Sequence, residues 1–223
     1  MTDATAVIEY LRTGDADSLA AMLETYQELA RARDAQGVSV ICLAVYFGQT
    51  RSAELLAASR TDLDIFEASV LGCVERVQFL IAQDAALKDA YSPDGFHPLG
   101  YACFFGRRDL FDALIASGAE INAPSRNPMK VCPLHSAVAS PDPDTALYMA
   151  RALIERGATV NARQQGEFTP LHEAAHRGHP VLVDLLLANG ADRGLRNLEG
   201  HNAAELARAS GRPELAARLD SAS

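Results

Sequence analysis

No apolar run in this sequence approaches the ~20 residues that a bilayer-crossing helix needs. The stretch Met1 to Leu11 contains acids and lacks a charged-then-apolar export pattern, so the expected location is cytoplasmic. Lysine is scarce: Lys88 and Lys130 are the two present, and arginine supplies the rest of the basic charge. Twenty basic side chains face 29 acidic ones, a formal charge of −9. That balance argues against nucleic acid and anionic membrane surfaces, whose binders carry basic patches. Four cysteines, Cys42, Cys73, Cys103 and Cys132, are too far apart for a short-spaced metal motif, and the expected state is reduced, inert thiols. Neither Ser136 nor Ser140 sits in a glycine elbow, and no glycine-rich phosphate loop occurs. No catalytic residue, cofactor or metal is therefore expected, and the chain reads as not an enzyme.

What is present is a stretch that repeats. Thr169-Pro170-Leu171-His172-Glu173-Ala174-Ala175-His176-Arg177-Gly178-His179 leads into Val181-Leu182-Val183-Asp184-Leu185-Leu186-Leu187-Ala188-Asn189-Gly190-Ala191-Asp192. Proline opens a helix well because its missing amide hydrogen would have had no partner there. Gly178 and Gly190 each supply a left-handed residue at a helix end. Two short amphipathic helices result, and neither can bury its apolar face without neighbours of its own kind. Equivalents of Gly178 stand at Gly14, Gly48, Gly72, Gly106, Pro141 and Gly211, separated by 34, 24, 34, 35, 37 and 33 residues.

These residues resemble the ankyrin repeat, whose period is roughly 33, and the resemblance is to ankyrin proteins of bacterial type. It implies an all-α fold, a solenoid of about seven helix-turn-helix units with short hairpin loops, forming one domain over residues 1–223. The expected units are 4–33, 34–60, 61–93, 94–126, 127–163, 164–196 and 197–220, the first and last being caps. Unit two should have a short second helix, about Ser52 to Ser59. Its step of 24 residues to Gly72 leaves no length for a projecting finger between units two and three.

In the family, the two residues before the turn glycine and the loop tips line the concave groove. Carried onto this chain, that implies Tyr46, Phe47, Val70, Leu71, Phe104, Phe105, His176 and Arg177, with Phe96 as a loop position. The expected function is a protein–protein interaction scaffold that binds another protein through this groove and acts as a monomer. Packing of the same rings across neighbouring units is the competing reading. Two other functions are weighed: an inhibitor or immunity-type subunit of a larger complex, and a metal-dependent hydrolase using His172, His176 and His179. The second is disfavoured because His179 lies beyond the turn, off the helix, and His172 matches the family's structural histidine.

Overall fold

The computed structural model describes residues 4–58 and 60–221. Ser59, expected to end the second helix of unit two, lies outside them. Fourteen α-helices follow one another as seven successive pairs, and no strand occurs among the described residues. The chain is all-α, and it divides into two compact bodies, residues 1–98 and 99–223.

The first body holds α1 (Ala4–Thr13), α2 (Ala16–Thr25), α3 (Val40–Tyr46), α4 (Thr50–Ala58), α5 (Ile65–Leu71) and α6 (Val74–Gln83). First helices stack on first helices, α1 on α3 on α5, while α2 packs on α4. Val7, Leu11, Leu19, Ile41, Ala44, Leu56, Ala68 and Val77 recur at helical spacing, and all are buried. The second body continues with α7 (Pro98–Phe104), α8 (Arg108–Ala116), α9 (Pro133–Val138), α10 (Pro143–Glu155), α11 (Pro170–Arg177), α12 (Pro180–Ala188), α13 (Ala203–Ala209) and α14 (Pro213–Ser221). Here α9, α11 and α13 form one row and α8, α10 and α12 the other.

The turn glycines Gly14, Gly48, Gly72, Gly106, Gly178 and Gly211 all have positive φ, as the register requires. Proline cannot adopt that conformation. At Pro141 the chain instead ends α9 on Ala139 in a right-handed conformation, and Asp142 caps α10 through the backbone of Thr145.

The loops are leaner than the expected hairpins. A single isolated bridge, Arg33 to Ser39, is the nearest approach to strand pairing among the described residues. Elsewhere one backbone bond closes each loop: Ser92 N–H to Phe96 O, Ser125 N–H to Val131 O, Gln164 N–H to Phe168 O and Asn197 N–H to His201 O.

Between α4 and α5 no residue of 60–64 takes part in strand pairing. Arg60 holds this short link. Its guanidinium donates to Ala30 O at 2.9 Å, to Asp62 at 2.5 Å and to Glu67 Oε2 at 3.1 Å. Side chains of Arg60 and Glu67 are only 5% and 1% exposed. Glu67 Oε2 also accepts the Asp64 N–H in a capping box that starts α5. One buried side chain thus ties three segments where a finger would have stood.

In the second body a side-chain ladder joins successive units. Asn122 donates to Gly157 O and accepts from Thr159 N–H; Asn161 does the same with Gly190 O and Asp192 N–H. The ladder stops where Gly194 takes the corresponding place. Asn161→Ala removes both bonds at once and is expected to cost about 1–2 kcal/mol in chemical denaturation. A cost near zero would mean that these bonds merely replace water contacts.

Candidate partner-binding surface

The two residues before a turn glycine sit on the last turn of their helix, where the following chain bends away. The side chain then decides whether the position is covered. In the first body, Tyr46 and Phe47 keep 37% and 43% of their surface exposed. The Tyr46 hydroxyl donates to Asp94, whose other oxygen accepts from Ser92 in the next loop. Phe96 and Leu71 are half-buried. Val70, expected on the groove, is completely buried and belongs to the core. A short β-branched side chain there ends below the surface that a tyrosine or phenylalanine ring overhangs.

In the second body Phe104 is 46% exposed. Its ring meets Phe105 edge-on at 5.2 Å, and Phe105 in turn stacks on the buried Tyr101 at 6.3 Å. Phe105 is half-buried, so it supports the patch more than it forms its surface. Both readings of these rings therefore hold in part: Phe105 packs, and Phe104 stays outside.

His176 and Arg177 are exposed on α11. They line an open cleft of about 640 Å³ with Phe168, Glu173, Glu199, Leu206 and Arg212. Arg177 pairs with Glu173 at 2.5 Å, and His176 Nδ1 is 2.9 Å from Ser210 Oγ. The polar half of the expected groove thus has its charges partly compensated internally.

The histidines are committed to structure. The Thr169 N–H donates to His172 Nδ1 at 3.1 Å, so the ring proton sits on Nε2, which donates to His201 O at 3.2 Å. The same tie recurs one unit earlier, where His135 Nε2 meets Phe168 O at 3.2 Å. There Cys132 replaces the capping threonine, and His135 Nδ1 has no hydrogen-bond partner. Burial lowers the pKa of His135 to about 4 and moves that of His172 in the same direction. His179 is the N-cap residue of α12 and not part of α11. Its pKa is lowered by burial and by the charges of Arg177 and Arg212. Both ring nitrogens of His172 are occupied, and among the described residues no group of three His, Cys, Asp or Glu side chains is placed to hold a metal ion. Burial also pushes the Cys42 thiol up to about 12 and raises those of Cys103 and Cys132, which disfavours thiolate chemistry.

Two exposed apolar side chains escaped the sequence reading, Met129 and Leu198, at 47% and 77% exposure. Each sits in mid-loop beside turn residues, in Asn127-Pro128-Met129-Lys130 and Asn197-Leu198-Glu199-Gly200. An apolar residue among turn formers was the available signal.

Comparison with known proteins agrees with the repeat register. Residues 65–164 match the family described as ankyrin repeats (3 copies), and residues 153–207 match ankyrin repeats (many copies). Similar curated proteins include a probable E3 ubiquitin-protein ligase, XBOS34, of Oryza sativa subsp. japonica, 38% identical over 48% of this chain and 20% of its own length. Palmitoyltransferase Hip14 of Drosophila melanogaster is 37% identical over 56% of this chain and 19% of its own. Human inversin is 30% identical over 60% of this chain and 12% of its own. The chain spans a fifth or less of the length of these relatives. Among the described residues no helix is long and apolar enough to cross a membrane.

Proposed function

The chain belongs to the ankyrin-repeat family, and on that premise we propose that it is a protein-interaction scaffold without catalysis of its own. The partner is another protein, engaged through the aromatic residues at the turn ends: Tyr46 and Phe47 on one body, Phe104 on the other. The observation that carries this reading is Phe104, a large ring left nearly half exposed while Phe105 and Tyr101 hold it from behind. Aromatic side chains fixed by packing lose little rotamer freedom on binding and dominate interface energies.

Phe104→Ser tests it. The substitution is expected to shift unfolding free energy by roughly 1 kcal/mol or less, because much of the ring already faces solvent. Partner capture from a cell lysate, identified by mass spectrometry, should lose its specific proteins with Phe104→Ser and Phe47→Ser. Arg177→Ala, whose charge is already paired with Glu173, should retain them. Folded Phe104→Ser and Phe47→Ser proteins that capture every partner would sink the patch.

A further inference from the structure

The formal charge of −9 is unevenly spread. Residues 1–98 hold 15 acidic against seven basic side chains, whereas residues 99–223 hold 14 against 13. Within the second body the loop segments 121–131, 160–168 and 193–201 reverse the sign. They carry Arg126, Lys130, Arg163, Arg193 and Arg196 against two acids.

These three loops are also tied together. The Gln165 N–H donates to Met129 O at 2.8 Å, and the Leu198 N–H donates to Gly166 O at 2.9 Å. The backbone bonds leave the Met129 and Leu198 side chains outside, and Leu198 has the largest fractional exposure of any large apolar residue among those described. The edge is thus a row of linked loops presenting apolar tips among basic side chains.

We propose that this loop edge docks an extended acidic segment of a partner protein. Apolar side chains of the segment cover Met129 and Leu198, and its carboxylates face Lys130 and the loop arginines. The inference rests on the scaffold reading but uses a surface separate from Phe104. Charge complementarity selects the occupant: a net basic edge on an acidic chain attracts acidic partners locally. A nucleic acid is disfavoured because the chain as a whole repels a polyanion and the tips are apolar.

The test is a selection of displayed random peptides on the purified full chain, followed by fluorescence anisotropy of the selected peptides. Enriched peptides should carry Asp or Glu interspersed with Leu, Phe or Met, and their affinity should fall as sodium chloride is raised. Leu198→Ser and Lys130→Glu should each weaken them about tenfold or more, with denaturation midpoints near wild type. Peptides without acidic excess, or affinity unchanged in both variants, would overturn the proposal. A single-stranded oligodeoxynucleotide binding more tightly than any selected peptide would also overturn it. So would a wild-type dimer that Lys130→Glu dissociates, since a second copy would then be the occupant. Peptides lost with Phe104→Ser but kept by both loop variants end this inference while the Phe104 patch stands. The opposite pattern supports the loop edge and ends the patch.

Discussion

Arg60→Ala is expected to lower the unfolding free energy by about 3–5 kcal/mol, the scale for removing one partner of a buried ion pair. Ala30 O loses its donor, and the link between α4 and α5 loses its anchor. The larger consequence falls on Glu67. Its carboxylate is 1% exposed, and its Oε1 already has no hydrogen-bond partner among the described residues. Without Arg60, the Asp64 N–H would be the remaining printed donor to a buried negative charge. Asp62, held down to about 2 by hydrogen bonds from Arg60 and Arg31, matters less because it faces solvent. Urea denaturation of Arg60→Ala, Glu67→Ala and the double variant checks this. The double variant should cost less than the two single changes summed, since the charge left stranded by the first is removed by the second. Strict additivity would show that the two side chains act independently.

That clamp was not legible in the sequence, although its position was. A step of 24 residues between turn glycines announces a missing finger, because the count follows from the period alone. What replaces the finger depends on a guanidinium reaching 30 residues back to Ala30 and seven forward to Glu67, and no local pattern encodes such bonds. The helix pairs were legible for the opposite reason. Thr-Pro openings, turn glycines and apolar spacing act within a few residues of themselves. Surface exposure falls between the two. Tyr46, Val70 and Phe104 share one position relative to the turn glycine, yet Val70 is covered and the two rings are not. Side-chain reach against the neighbouring units decides that, and a position in a repeat does not specify it. The basic loop edge was present in the residue order but hidden by the total charge, which averages two bodies of different balance.

Acid is expected to destabilise the chain before its carboxylates protonate, because of His135. Folding leaves this imidazole 1% exposed, donating through Nε2 to Phe168 O, with no partner at Nδ1 to hold a second proton. Its pKa is lowered to about 4, whereas an unfolded histidine takes its proton near 6.5. Between these values the unfolded chain binds more protons than the folded one. Stability therefore falls as pH drops from about 6.5 towards 4 and is unaffected by this group above that window. The full contribution is on the order of 3 kcal/mol. His172, lowered in the same direction, steepens the slope. Asp15, Asp62, Asp142 and Glu205 are all lowered, and they add their losses only as pH falls through the carboxylate range. Urea midpoints measured from pH 7.5 to 5 therefore report mainly the histidines. His135→Gln keeps a donor for Phe168 O but cannot titrate, so its slope between pH 6.5 and 5 should be distinctly shallower than that of the wild type. Cys132→Thr places at His135 the hydroxyl that Thr169 places at His172, and should raise stability at pH 7.5 by roughly 1 kcal/mol. Equal slopes for wild type and His135→Gln would show that His135 takes its proton in the folded chain as readily as in the unfolded one, and that the buried pair at Phe168 opens before unfolding.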